Sequence, residues 1–391
     1  MRVALITTSF PMTTESSDGI FVARLADALA VSVDLTVITP EGVHGAPEPR
    51  GNYAVRGFRY AARPWQRLAH APGGIPVALR RQPWLWLLVP SFLVSLFVVS
   101  LRAARHHDLL HANWAVVGAV AGLAGRICRT PVVTTLRGAD VTRMERSSVD
   151  RFLLRLALRT NKQLIGVSSA IRDQIRSLVP GSDDRVTVIA NGVDDCLFDL
   201  PERSERSDSG AVKLLTVGSL IPRKSVITIV DALARIDDLD ACLDIVGDGP
   251  EKEPLAARIE QLGLADRVRL SGPVPPHRIE EQLRTTDVFV MASRSEGRPN
   301  ALLEAMAAGL AVAVPAIAGI VELVEDGRTG LLHEQGDVPG LSRCLRRLVQ
   351  DGALRRRLGA AARMELDIRG LRWRHTAQGY LATYRAAVEG S

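Results

Sequence analysis

Aromatic residues make up only 4% of this chain, and no stripe of lysine or arginine interleaves with them. That argues against the base-stacking, phosphate-gripping surface of a nucleic-acid binder. Cysteine is scarce as well. Cys128, Cys196, Cys242 and Cys344 are widely spaced and form no C-x-x-C pair. A disulfide frame or a cysteine metal site does not fit that spacing, which suits ordinary thiols in a reducing compartment. The opening Met-Arg-Val-Ala-Leu-Ile-Thr-Thr has too short an apolar run for a secretory leader, and no small-residue cleavage site follows. No internal repeat or low-complexity tract is evident. The excess of positive charge is modest, 49 basic against 43 acidic residues. It suits a soluble enzyme with a basic surface, able to meet anionic lipid or phosphorylated ligands.

What is present is a long alternation of apolar strands and amphipathic helices over 391 residues, enough for two domains with their own cores. Strands are expected at Val3–Thr7, Asp34–Thr39, Leu109–His111, Val132–Leu136, Gln163–Val167 and Val186–Ile189. Helices fill the intervals, among them Gly19–Ala30, Val116–Arg126 and Val149–Arg159. The polar stretch from Pro201 to Gly210 has linker composition. A second alternation follows: Lys213–Val217, Cys242–Val246, Arg267–Ser271, Val288–Met291, Leu310–Val314 and Gly330–Leu332. The expected organisation is a first domain over 1–200, a second over 201–368 and a final helical segment over 369–391. Two doubly wound sheets joined by a hinge would place ligands at the carboxyl ends of their strands, in a central cleft.

From Pro83 to Leu101 the chain carries no charge, though Pro90 and three serines interrupt it. Arg80 and Arg81 precede it; Arg102, Arg105 and two histidines follow. Two readings stand: a pair of helices packed in the first domain, or a basic-flanked apolar helix lying in a membrane surface. A membrane-spanning helix would divide a domain whose strands continue on both sides.

The most informative stretch is Ser293 to Leu331. Glu296 and Glu304 stand eight positions apart, with Gly297-Arg298-Pro299-Asn300 between them opening a helix. Pro299 suits a first helical turn, where its missing N–H is not needed. A helix start gathers unpaired N–H groups and the positive end of the macrodipole, so it suits a phosphate or a sugar hydroxyl. A carboxylate on each side can hold two polyols. This stretch, with Gly309 and the segment from Glu322 to Leu331, resembles the donor-sugar motif of glycosyltransferase family 4. These are retaining, metal-independent enzymes of the GT-B fold, an α/β architecture of two doubly wound Rossmann-like domains facing a central cleft. The resemblance runs from the first strand to the last helix.

The resemblance implies roles for particular residues. Gly218-Ser219-Leu220-Ile221-Pro222-Arg223-Lys224-Ser225 is similar to the family's Gly-Arg-Leu-x-x-x-Lys-Gly loop. Lys224 matches its phosphate-binding lysine, Gly218 allows close backbone approach, and Arg223 stands in for the family's arginine, which is Ser219 here. The family's closing glycine is Ser225. Glu304 matches the carboxylate that accepts from both ribose hydroxyls, and Glu296 the one that touches the donor sugar. Backbone N–H groups of Gly297, Arg298, Asn300 and Ala301 would face sugar and phosphate oxygens, and the backbone at Val274 the base. In the first domain Gly19 matches a glycine near the donor phosphates, and His111 ends a strand on the acceptor side. Arg137 replaces the family's histidine; it stays charged and cannot shuttle protons, so it reads as an anion or donor-sugar contact. Asp140 is a candidate for acceptor activation. Trp373, Tyr380 and Tyr384 fit a closing helix that crosses back to the first domain.

The implied reaction transfers a hexose-type sugar from a nucleotide diphosphate to a hydroxyl of a glycan or lipid-linked acceptor. No metal and no further cofactor is expected, and the implied location is cytoplasmic, at the inner face of a membrane if the 83–101 segment touches one. Two alternatives share these residues. One is another enzyme on this fold, such as a sugar-phosphate synthase or a nucleotide-sugar epimerase. The other is an inactive membrane-associated binding subunit, against which the intact set of Lys224, Glu296 and Glu304 argues.

Overall fold

The computed structural model describes residues 1–70, 74–144, 147–201 and 210–390, leaving aside the side chains at 139, 140, 142 and 183. Most of the expected linker, 202–209, lies outside the described residues. Two compact units form: Met1–Asn191 together with Trp373–Ser391, and Gly192–Arg372.

The first unit is built on seven parallel strands: β1 (Arg2–Ile6), β2 (Asp34–Pro40), β3 (Ala54–Phe58), β4 (Leu109–Asn113), β5 (Val132–Leu136), β6 (Gln163–Gly166) and β7 (Val186–Val188), in the order 3-2-1-4-5-6-7. Every residue of β4 and β5 is buried. A parallel sheet covered on both faces has no solvated side, so even the polar His111, Asn113, Thr134 and Thr135 of these strands are buried. Strand β3 has no continuous apolar run. Among the described residues it pairs with β2 alone, its pattern alternates, and Ala54 and Arg56 face solvent, so the apolar pattern passes over it.

Winding direction decides which helix covers which face. From β1 to β3 the chain moves one way along the sheet; from β4 to β7 it moves the other. Right-handed crossovers therefore put the two groups of helices on opposite faces. Helix Ile20–Leu29 buries Val22, Leu25, Ala26 and Leu29 on one face, in a cluster shared with Trp373, Tyr380 and Tyr384 of the closing helix Trp373–Glu389. The opposite face is covered by helices Val89–His106 and Ala115–Cys128, and further along by Ser148–Thr160 and Ser169–Leu178.

The segment over 83–101 forms two consecutive helical elements that each send residues into the core of the first unit, Leu85 from one and Phe92 and Leu96 from the other. A 3-10 turn, Pro83–Leu88, runs directly into helix Val89–His106. Only one stripe of that helix is buried: Phe92, Leu96, Ser100, Ala103 and Ala104.

The second unit carries six parallel strands: β8 (Val212–Val217), β9 (Ala241–Val246), β10 (Val268–Gly272), β11 (Val288–Val290), β12 (Ala311–Pro315) and β13 (Leu331–His333), in the order 10-9-8-11-12-13. This is the strand order of a dinucleotide-binding Rossmann sheet. Its core gathers Leu243, Ile245, Val288, Val290 and Ala313 from the strands with Ile229, Leu233, Leu345 and Leu358 from the helices.

Candidate functional site

In each sheet the winding reverses beside its first strand. β1 lies between β2 and β4, and β8 lies between β9 and β11. Helices leave such a point toward opposite faces, so the two loops above it part and leave a crevice for a ligand.

In the second unit those loops follow β8 and β11. They carry Lys224 and Glu296, 72 residues apart in the chain. Lys224 Nζ donates to Glu296 Oε1 at 2.7 Å, and Arg223 Nη1 lies 3.2 Å from Oε2. The Ser293 hydroxyl also bonds this carboxylate. The Glu296 side chain is 7% exposed, and burial by itself would raise its pKa. Lys224, then Arg223, then the hydrogen bonds outweigh that and hold it down to about 2. Glu296 is thus a fixed anion at working pH, an acceptor that cannot release a proton. The loops are stitched further by the Arg294 N–H on the Arg223 carbonyl at 2.8 Å and by Arg294 Nε on Ser225 Oγ at 2.9 Å.

Ser225 sits at φ 47°, ψ 41°, the left-handed conformation that a glycine would take without strain. Gly247 admits no side chain: a Cβ there would lie 1.9 Å from the Gly218 carbonyl oxygen. The Gly218 N–H bonds the Val246 carbonyl at 3.0 Å, and the Gly247 N–H bonds that of Gly272 at 2.8 Å. The loops after β8, β9 and β10 are therefore stacked, with half-buried Val274 just beyond the last. A small pocket opens among Gly218, Ser219, Lys224, Met291, Ala292 and Ser293.

Below Glu296, Gly319 supports the loop from underneath: a Cβ there would lie 2.2 Å from the Glu296 carbonyl oxygen. Gly297 and Arg298 lead to Pro299, which stands at the cap position, one residue before helix Asn300–Ala307 rather than inside its first turn. No side chain caps that helix, which begins Asn300-Ala301. The Arg298 guanidinium pairs with Glu322 at 3.5 Å. Burial lowers its pKa and Glu322 opposes the shift. Glu304, on the same helix, is 8% exposed.

The first unit shows a second arrangement, at the carboxyl ends of β1, β4 and β5. Gly19 precedes helix Ile20–Leu29 at φ 74°, close against the Ser9–Phe10 backbone. Arg137 is buried. Its Nη1 donates to Asn191 Oδ1 at 2.8 Å, its Nε and Nη2 donate to Asn113 Oδ1 at 3.1 and 2.7 Å, and its Cζ lies 4.8 Å from the Phe21 ring centre. His111 departs from expectation. It is fully buried, with Nε2 bonded to Thr135 Oγ1 at 2.9 Å and Nδ1 to Tyr384 OH at 2.6 Å. Burial first, and the charge of Arg137 second, lower its pKa to about 3. A neutral ring with both nitrogens engaged is part of the core, not of an acceptor-facing surface. Asp140 falls outside the described side chains.

Asn113 and Trp114 stand in the His111–Trp114 segment read as suited to acceptor contact, whereas nothing in the sequence pointed to Asn191. Trp114 has φ 79°, ψ 147°, a region that is nearly glycine's alone. Its buried Nε1 and the buried Nδ2 of Asn113 have no hydrogen-bond partner among the described residues. Two orphan donors beside a strained backbone mark a place that can receive an oxygen-rich ligand. No sequence pattern announces a backbone angle. Among the described residues, no three His, Cys, Asp or Glu side chains are grouped as metal ligands.

Comparison with known proteins covers both units. The Glycosyltransferase Family 4 model matches residues 19–196, and the Glycosyl transferases group 1 model matches residues 200–365. The N-acetyl-alpha-D-glucosaminyl L-malate synthase of Bacillus anthracis is 31% identical over 265 residues, 66% of this chain and 69% of that one. The glycogen synthase of Mycobacterium tuberculosis is 26% identical over 409 aligned positions, 100% of this chain and 96% of that one. In fold, the chain superposes on Anabaena Alr3699/HepE, crystallised with UDP and glucose, at a TM-score of 0.76 with 20% identity, covering 99% of this chain and 100% of that one. With both halves matched by its models and a named relative at 31% identity, the chain belongs to glycosyltransferase family 4 and is a glycosyltransferase of GT-B fold.

Proposed function

We propose that this enzyme is a retaining, metal-independent transferase that moves a hexose-type sugar from a nucleotide diphosphate to a hydroxyl of a glycan or lipid-linked acceptor. The observation that carries the reading is the convergence of Lys224 and Arg223 on Glu296, beside Gly218 at the winding reversal. Cleaving the anomeric C–O bond leaves growing negative charge on the departing diphosphate. Cations fixed in advance stabilise that charge without reorganising. Lys224 and Arg223 take this role, and Glu296 keeps both in place before the donor arrives. Glu296 then faces the sugar hydroxyls as an acceptor. Glu304 receives the ribose hydroxyls, and the backbone of Gly297, Arg298, Asn300 and Ala301 faces sugar and phosphate oxygens. In the family's front-face substitution, the leaving phosphate itself takes the proton of the incoming hydroxyl. Asn113, Trp114 and Arg137 supply N–H donors, indole and guanidinium for an oxygen-rich acceptor or donor sugar.

Two charged side chains at the diphosphate position support metal independence, since they supply what a divalent ion would otherwise supply. HepE's complex with UDP and glucose makes uridine diphosphate sugars the first donors to try. Four free cysteines fit a reducing compartment, hence a cytoplasmic site of action.

The test is a thermal-shift panel of nucleotide sugars, followed by release of nucleotide diphosphate with the donor that binds. Lys224→Ala should lower turnover by roughly 100- to 1,000-fold, and Glu304→Ala should abolish the donor-induced shift. Wild-type release by either variant would overturn the assignment, as would activity that a chelator removes and magnesium restores.

A further inference from the structure

Three of the five tryptophans lie on two short 3-10 elements of the first unit, and all three are exposed. Trp65, on the 3-10 turn Arg63–Trp65, meets Trp84 edge to face with ring centres 5.4 Å apart. Trp86 and Leu87 follow on the next turn, and they are 60% and 81% exposed. Val94 and Val98 continue the exposed line one and two turns along helix Val89–His106. A soluble surface seldom presents this much contiguous aromatic and aliphatic area without a partner.

The charge around it has one sign. Residues 49–107 contain nine arginines and no aspartate or glutamate, so the net +6 of the whole chain is more than accounted for here. Arg59 and Arg50 face Glu41 and Asp27. Arg63, Arg67, Arg80, Arg81, Arg102 and Arg105 have no carboxylate partner among the described residues, and all six are exposed.

From this juxtaposition we infer that the Trp65–Trp84–Trp86–Leu87 surface docks the enzyme on a bilayer containing anionic phospholipid. Each part of the patch matches a layer of such a surface. Tryptophan has an apolar body and a polar N–H edge, which suits the headgroup boundary. Leu87, Val94 and Val98 reach the acyl region, and the arginines meet phosphate. The segment lies on the membrane and does not cross it. Phe92 and Leu96 of the same helix are committed to the core with Ile6 and Leu110. A buried helix of a soluble core would match this apolar composition too, but only 22% of the apolar 18-residue stretch within Pro83–His106 is buried. The inference does not rest on the donor chemistry: it says where the enzyme works, and lipid binding is read without turnover.

The experiment is flotation of the full chain with vesicles of phosphatidylcholine alone and of phosphatidylcholine mixed with phosphatidylglycerol, at low and high salt. Wild type should float with the mixed vesicles, with a blue shift in tryptophan emission. It should float weakly with phosphatidylcholine and lose binding as salt rises. Arg80→Ala/Arg81→Ala should weaken partitioning by roughly 10- to 30-fold, and Trp84→Ser/Trp86→Ser/Leu87→Ser by at least about tenfold. Unchanged circular dichroism and nucleotide-sugar binding would show that these surface variants remain folded. Equal flotation of wild type and variants would overturn the inference, as would no flotation at all. So would lipid-free self-association of wild type, seen by sedimentation, that the Trp84/Trp86/Leu87 variant loses; the face would then join two copies of the chain.

Discussion

Glu296 is where burial and charge oppose each other most directly. Its carboxyl has a folded pKa of about 2 against an ordinary 4.5. Folding therefore favours the ionised form. The stabilisation is complete above pH 4.5 and is lost as pH falls toward 2, on the order of 3 kcal/mol across that window. The gap in unfolding free energy between wild type and Glu296→Gln, followed by urea denaturation, should shrink over the same interval. A gap independent of pH would mean that the carboxylate is not the anion described. Ser225 poses a different question, one of backbone. Ser225→Ala keeps the left-handed strain and loses the bond from Arg294, whereas Ser225→Gly loses the bond but relieves the strain. Gly should therefore exceed Ala in stability by about 1 kcal/mol. A glycine stands at this position in the family motif, but the local letters do not tell that serine keeps glycine's conformation.

Between elements, two junctions set function. The closing helix Trp373–Glu389 is tied to the first sheet through Tyr384–His111 and Tyr380–Thr135, the latter at 3.0 Å. Tyr384→Phe leaves His111 Nδ1 buried and unpaired, which should cost about 1–3 kcal/mol of stability in thermal or urea unfolding. The other junction is the contact of Gly319 with the Glu296 carbonyl. Gly319→Ala pushes that loop off its support, so donor affinity measured by calorimetry should fall, while Lys224 and Glu304 stay unaltered in sequence. Helical spacing marked Tyr380 and Tyr384 as one face of a helix. It did not show that their hydroxyls would find a histidine and a threonine more than two hundred positions earlier.

Each compact unit buries its own core residues, in one cluster in the second unit and in clusters on both sheet faces in the first. A ligand that binds one unit stabilises that unit alone by mass action. Calorimetric unfolding with a bound nucleotide sugar should therefore raise the transition that Glu304→Ala lowers in ligand response. At a donor concentration one hundred times its Kd, the gain is about 2.7 kcal/mol. A uniform shift of every transition would contradict a donor held mainly by Lys224, Glu296 and Glu304 of the second unit.

The alternation of buried runs and amphipathic stretches was enough to read two parallel α/β sheets, because strands covered on both faces are mostly apolar. The spacing of Glu296 and Glu304 with Pro299 marked a loop running into a helix, because local backbone rules act over a few residues. Strand β3 stayed hidden, since an edge strand has one wet side. His111, placed with the acceptor because it was read at a strand end, went to the core because β4 is the central neighbour of β1 and the closing helix covers it. The meeting of Lys224 and Glu296 needed the sheet order, which brings the loops after β8 and β11 together. Whether the uncharged 83–101 stretch is covered or bare depended on which stripe the sheet could reach. Those outcomes belong to contacts far apart in the chain, and no window of sequence contains both partners.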